Sequence, residues 1–473
     1  MKAARLILWC SIVAMGCAIA ACGGAVRPYS ATNGLPPIAS DATGTTTNPI
    51  KHVVIVIQEN RSFDNLFATY PGADGTKVGA VAAMPPSIAQ SCSPPITQPT
   101  TIPLQESHLA GGVDLDHIYN GYKTELDGGK MDGFDLVGQS ADGSGPPACT
   151  LAYQYVNPAE IKPYWDIAQQ YVLADHTFQT QGSSSFTAHQ DLIAGGTQIT
   201  ATHAVIDNPT WYPWGCDAPA KVVTAIIKRY THQVYRYAGP FPCFEYPTLR
   251  DLLDAKGVSW KFYAVKVNKP PHGLGPGIWS AFDAIKAVRY SSEWGTNVTR
   301  SNLDFFTDIK SRRLPAVSWI TPDASDSDHP AEQSDTGPSW VASIVNAVGK
   351  SPYWKSTAVV ILWDDWGGFY DHAPPPKPYN WQGGPGFRVP MLIVSAYVKP
   401  HVDHTMYQFG SVLRLIEKIW GLGSLGNNDQ QSQSIGNAFD IKMPARKFRP
   451  IESKYPLQFF LHKRPSGLIP DTE

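Results

Sequence analysis

Residues 52–67 read HVVIVIQENRSFDNLF, and this stretch restricts the possible folds more than any other. The β-branched run Val53 to Ile57 has the composition of a strand buried on both faces, and it breaks abruptly into Gln58, Glu59 and Asn60. A carboxylate and an amide are thereby set at the C-terminal end of a strand, the edge of an open α/β sheet where ligands sit. The same device recurs twice. Ala316 to Ile320 is followed by TPDASDSDHPAE, and Ala358 to Leu362 by WDDWGGFYDHAPPP. Further strands are predicted at Ser259–Val265, Pro390–Ala396 and just after residue 171. Between them lie helical patterns at 157–171, with Asn157 as N-cap and Pro158 in the first position, at Tyr246–Lys256, at 298–312 and before Gly421. Alternation of buried strands with helices predicts an α/β fold: a mainly parallel sheet covered on both faces, its polar strand ends gathered at one edge.

Among 473 residues, 38 Lys and Arg against 40 Asp and Glu leave no electrostatic case for nucleic acid as a partner. The N-terminus is an address. Lys2 and Arg5 precede an apolar run that ends in Ile19-Ala20-Ala21-Cys22-Gly23-Gly24. This resembles a bacterial lipobox, which implies a signal over 1–24, lipidation at Cys22, export to the cell envelope and a membrane anchor; an ordinary signal peptide is the alternative. The Thr, Ala, Pro and Gly-rich segment 25–50 reads as a tether ahead of one large domain over 51–473, with loop-rich insertions near 70–110 and 198–245. Export gives the remaining cysteines an oxidising setting, and proximity pairs Cys92 with Cys149 and Cys216 with Cys243. No CxxC spacing supports a zinc site on these four.

Glu59-Asn60 and Asp364-Asp365 together offer three carboxylates and an amide oxygen. Adjacent acids repel unless a cation or proton intervenes, and oxygen-only donors suit a hard or intermediate divalent cation. Ser183-Ser184-Ser185 occupies a turn before a helical pattern, where a hydroxyl can serve as nucleophile beside a metal; spacing alone does not choose among the three. Two other motifs carry nothing. Gly421 to Gly426 satisfies GxGxxG but follows a helix rather than a strand, and the absence of GxSxG weighs against a serine esterase of the α/β-hydrolase kind.

The strings ENRSFDNLFATYPG, HIYNG with GGKMDGF, LADHTFQ with SSSFTAHQDLIAGG, and WDDWGGFYDHAPPP resemble the bacterial phosphoesterase family of phospholipases C and related acid phosphatases, in the family's order over roughly residues 50–420. The resemblance implies a three-layer α/β/α sandwich similar to alkaline phosphatases. It implies a divalent metal of unspecified identity on Glu59, Asn60, Asp364 and Asp365, and a phosphoserine intermediate. Counting back from Gly195 selects Ser185 as nucleophile, although this chain has Ser183-Ser184 where family members carry Gly-Pro, and Thr187-Ala188-His189 where they carry Pro-Asn-Arg. His189 then stands for that arginine, His117 and His329 match histidines near the phosphate, and Asp371, His372 and His404 match supporting residues. The substrate is a phospholipid or a soluble monoester, and the aromatic 198–245 insertion is a lipid-facing lid or a disulfide-braced patch. A rival from another class is an exported binding lipoprotein on a non-catalytic scaffold. A sulfatase relative would need a CxPxR-type motif, which is absent.

Overall fold

In the computed structural model, which describes residues 48–265, 280–377, 380–464 and 466, the β-branched run becomes the strand His52–Gln58. It lies inside a seven-stranded sheet ordered Trp260–Tyr263, Val317–Ile320, His52–Gln58, Thr357–Trp363, Met391–Ser395, Val172–Ala174, His401–Asp403. Every residue of the Val317, Thr357, Met391 and Val172 strands is buried. Such strands have no polar face to turn to water, so helices must cover both sides.

Alternation along the strands distributes the two faces. Gln58 Nε2 donates to the Tyr164 hydroxyl of helix Lys162–Gln170 at 3.2 Å. Trp319, in register with Ile55, sends its indole N–H to the Leu192 carbonyl of helix Ser185–Ala194 at 3.1 Å. Even-numbered and odd-numbered residues of the central strand therefore face different helices. Helix Gly337–Gly349 packs on the first and Phe409–Trp420 on the second, giving three layers.

The sheet is mainly parallel, as the sequence predicts, with one reversal. Met391–Ser395 runs antiparallel to both its neighbours, and a uniformly apolar run carries no signal of direction. The helix predicted from Asn157 starts later, at Lys162 with Pro163 in its first turn. Asn157 Oδ1 instead accepts the Ala159 N–H at 2.9 Å, an Asx turn that spends the side chain on a local bend. The other two helices shorten to Leu249–Ala255, begun by a Thr248–Asp251 capping box, and Asp304–Lys310. The 70–110 insertion holds a ribbon of Val78–Val81 on Thr100–Pro103, and the 198–245 insertion a four-stranded antiparallel meander. Both disulfides, Cys92–Cys149 and Cys216–Cys243, are formed. Gly421 ends its helix in the left-handed region, φ +59°, so GxGxxG is a helix stop.

The 1–24 signal, Cys22 and the tether up to residue 47 lie outside the described residues. Among the described residues no helix is long and apolar enough to cross a membrane.

Candidate active site

The acid pairs meet because their strands are neighbours. His52–Gln58 and Thr357–Trp363 run parallel with Gln58 beside Trp363, so the next residues leave the sheet together. Asp364 Oδ1 accepts the backbone N–H of Asn60 at 2.9 Å and of Asp365 at 2.8 Å. The Glu59 N–H is held by the Ser327 carbonyl at 2.8 Å. Asn60 adopts a left-handed φ of +55°, which asparagine tolerates better than most residues. Gly367, at φ +62°, packs so tightly that a Cβ would lie 2.3 Å from the Asn60 carbonyl oxygen; its N–H donates to Asp365 Oδ1 at 2.8 Å.

Of the three serines, Ser185 alone is hydrogen-bonded to the acid pairs. It begins helix Ser185–Ala194, and its Oγ–H donates to Asp365 Oδ2 at 3.0 Å. The Ser183 hydroxyl is occupied elsewhere, accepting from the Asp207 N–H and the Thr187 hydroxyl. Ser184 Oγ is buried without a hydrogen bond.

One turn along the same helix, His189 Nε2 lies 3.0 Å from Glu59 Oε1 and 3.6 Å from Asp364 Oδ2. Burial alone would depress its pKa, but the two carboxylates outweigh that and push it up to about 10. His117 is also wholly buried. Its Nδ1 faces the Leu115 carbonyl at 2.7 Å, and since a carbonyl only accepts, Nδ1 carries the hydrogen. Nε2 is then the acceptor for Asn60 Nδ2 at 3.2 Å, and it lies 4.0 Å from Asp365 Oδ2. That orientation leaves Asn60 Oδ1 without a hydrogen bond, and Asp364 Oδ2 likewise receives none. Glu59, Asn60, Asp364 and Asp365 are all at most 1% exposed. Three buried carboxylates with acceptor oxygens left over form a donor set that fits a divalent cation, and carboxylate oxygens of Glu59 and Asp364 already lie within 4.8 Å of each other.

His329 sits on the loop that supports Glu59, two residues past Ser327, where its N–H donates to Ser327 Oγ at 3.2 Å. Asp371, His372 and His404 build a neighbouring network instead of joining the acid pairs. Arg388 Nε donates to Asp371 Oδ1 at 2.9 Å, His372 Nδ1 meets Asp64 Oδ2 at 2.7 Å, and His404 Nδ1 meets Asp175 Oδ2 at 2.8 Å. Asp371 Oδ2 also accepts the Asp64 N–H at 3.2 Å, bracing the short helix Phe63–Phe67 that follows Asn60.

Sequence reasoning missed the braces behind the site. Arg61 is fully buried, with Nε on the Asp328 carbonyl at 2.8 Å, Nη2 on the Leu109 carbonyl at 2.9 Å and Nη1 on Asn65 Oδ1 at 3.1 Å. Asp328 Oδ2 accepts from Tyr164, Trp363 and Gln58; burial raises its pKa to about 6 against the pull of Tyr164 and Arg61. Glu125, beneath His117 and Asp365, takes the Trp366 indole N–H at 2.8 Å, and burial raises its pKa well above the carboxylate range. Arg61 stands next to Glu59-Asn60, a signal within reach; Asp328 and Glu125 had none.

A family model described as the phosphoesterase family matches residues 50–423. Phospholipase C A of Mycobacterium tuberculosis is 27% identical over 468 residues, covering 88% of this chain and 82% of that protein. Non-specific phospholipase C1 of Arabidopsis thaliana is 23% identical, covering 90% and 77%. Non-hemolytic phospholipase C of Pseudomonas aeruginosa is 25% identical, covering 79% and 54%. Among solved structures, a protein of the alkaline phosphatase superfamily from Vibrio parahaemolyticus aligns with a TM-score of 0.35 at 12% identity, over 82% of this chain and 72% of that one.

Proposed function

The chain belongs to the phosphoesterase family, and on that premise we propose that it hydrolyses phospholipid-type phosphoric esters in two steps through a phosphoserine at Ser185. The observation that carries the reading is the hydrogen bond from Ser185 Oγ to Asp365 Oδ2, which joins positions 180 residues apart beside two strand-end acid pairs. The mycobacterial, plant and Pseudomonas relatives named phospholipase C support the substrate class.

In the first step Ser185 Oγ attacks phosphorus while its proton passes to Asp365 Oδ2. The bond from phosphorus to the leaving alcohol breaks, and one of His117 and His329, protonated on the nitrogen that faces the site, supplies that alcohol with a proton while both hold the non-bridging oxygens. For His117 this means that Nε2 takes up a proton and gives up the hydrogen bond from the Asn60 amide. Water then hydrolyses the phosphoserine. His189, between Glu59 and Asp364, positions the carboxylates. A divalent cation on Glu59, Asn60, Asp364 and Asp365 would, when bound, neutralise charge gathering on the serine oxygen and the phosphoryl group. The protein works outside the cytoplasm, held to a membrane through Cys22.

Purified Ser185→Ala, Asp364→Asn and Asp365→Asn proteins, supplied with divalent metal, are assayed on phosphatidylcholine, p-nitrophenyl phosphorylcholine and p-nitrophenyl phosphate. Each variant loses about 10³-fold in turnover, about 4 kcal/mol of barrier. Full activity of Ser185→Ala overturns the nucleophile. Turnover of the monoester alone moves the substrate to the acid phosphatase type. Undetectable metal together with undetectable turnover in the unaltered chain revives the binding-lipoprotein reading.

A further inference from the structure

At the far edge of the sheet, Val172–Ala174 and His401–Asp403 run parallel with Ala174 beside Asp403. Asp175 and His404 therefore leave the sheet side by side, and the Asp175 N–H still bonds the Asp403 carbonyl at 3.2 Å. Shortly beyond, Thr177–Phe178 and Tyr407–Gln408 pair again, also in parallel. The residues between are pinned at both ends. Within this frame two imidazoles converge on one buried carboxylate: His176 Nδ1 lies 2.9 Å from Asp175 Oδ1, and His404 Nδ1 lies 2.8 Å from Asp175 Oδ2. The rings stand at 75° with centroids 6.1 Å apart.

We propose that Asp175, His176 and His404 form a second divalent-cation site, of a two-imidazole, one-carboxylate composition suited to zinc and separate from the acid pairs beside Ser185.

Three features point the same way. One ligand atom from each residue lies within 4.8 Å of the others. Donors around a tetrahedral zinc stand about 3.3 Å apart. The ion therefore asks the two histidine–carboxylate contacts to widen by a few tenths of an ångström and the two imidazole nitrogens, which lie within 4.8 Å of each other, to come to that same separation. Next, His176 has the partner that zinc-bound histidines use to fix their ring: Asp74 Oδ2 lies 3.2 Å from Nε2, and a hydrogen bond there leaves Nδ1 with its lone pair toward Asp175. The Asp74 N–H also donates to Asp175 Oδ2 at 2.8 Å, so the outer carboxylate and the ligand hold each other in place. Finally, the surroundings carry an excess of negative charge. Asp64, Asp74 and Asp371 face Arg388 and His372, whose pKa burial lowers but Asp64 raises to about 9. The Asp175 carboxylate adds a fourth negative charge, whose partners are His176, His404 and the Asp74 N–H. A divalent cation cancels the remainder. The His404 side chain is 60% exposed, which leaves a path for the ion and room for a water as fourth ligand. Imidazole donors favour zinc, whereas the oxygen-only acid pairs favour harder ions. The two sites thus differ in preference, and this inference stands apart from the chemistry at Ser185.

The test uses the full chain carrying Asp364→Asn and Asp365→Asn, stripped with chelator and titrated with zinc sulfate by calorimetry. One equivalent binds per chain, and adding His404→Ala weakens it by about 100-fold or more. Cobalt(II) gives the visible absorption of a four-coordinate site in the parent and none in the His404→Ala chain. Zinc raises the thermal midpoint of the parent and leaves that of the His404→Ala chain unmoved, a readout that also establishes folding. Should the double replacement not fold, the unaltered chain serves, with His404→Ala lowering bound zinc by one equivalent. Absence of zinc binding in the parent, or binding equally tight in His176→Ala and His404→Ala chains, overturns the site and leaves two carboxylate–imidazole hydrogen bonds.

Discussion

The acid pairs in the middle of the sheet and the Asp175–His404 cluster at its edge are both made of residues that directly follow parallel strands, yet they differ in donors and access. The middle strands have neighbours on both sides, so Glu59, Asn60, Asp364 and Asp365 are sealed in, and Asp365 accepts from a serine. At the edge, His401–Asp403 has a partner on one side only, and its terminal histidine stays in solvent. Parallel strands decide that side chains converge; place in the strand order decides how wet the convergence is; residue type decides the chemistry.

The largest effect that would break this comparison is at Arg388. Its guanidinium bonds Asp371 and the backbone carbonyls of Asp74 and Asp175, each at 2.9 Å, entirely out of solvent. Arg388→Met strands Asp371 without its guanidinium and leaves Asp64 only His372, and urea unfolding should register a loss of about 3–5 kcal/mol. A loss below about 1 kcal/mol would mean that the edge does not depend on charge balance, and the contrast with the middle would fail.

A smaller effect sharpens the middle. Gly367→Ala combines a left-handed backbone with the overlap on the Asn60 carbonyl, costing about 1–3 kcal/mol of stability. Because the Gly367 N–H orients Asp365, kcat should fall further than that loss of stability accounts for. Unchanged kcat in the folded variant would show that Asp365 does not need this turn.

The smallest effect is electrostatic. His372 has its pKa raised from 6.5 to about 9 beside Asp64, despite burial. A raised histidine pKa stabilises the fold fully below about pH 6.5 and loses that contribution as pH rises through about 9. The thermal midpoint of the unaltered protein should therefore fall more steeply between neutral pH and pH 9 than that of His372→Gln. Parallel curves would remove His372 from the charge balance of the edge.

Signals confined to a few neighbouring residues were readable without coordinates. Val53–Ile57 announced a strand, Glu59-Asn60 announced its polar end, and Gly421 announced the close of a helix. Which strand points backwards was not readable, because Met391–Ser395 is apolar throughout and looks the same in either direction. Nor was the partner of Asp371 or of His404: each is settled by residues brought close through the sheet, Arg388 in one case and Asp175 in the other. His189 shows the boundary well. Its place in the serine helix was plain from spacing, whereas its contact with Glu59 required a fold that brings positions 130 residues apart together.

The hydrogen bond from the Asn60 N–H to Asp364 Oδ1 spans 304 residues, and among the described residues the central strand pairs with Val317–Ile320 and Thr357–Trp363. The earliest strand of the chain thus waits for some of the latest. During synthesis, a ribosome must pass position 365 before the two acid pairs can meet, and closing so long a loop is slow compared with local helix formation. A product that ends before position 364 consequently lacks both the second acid pair and the hydrogen bond that ties it to Asn60.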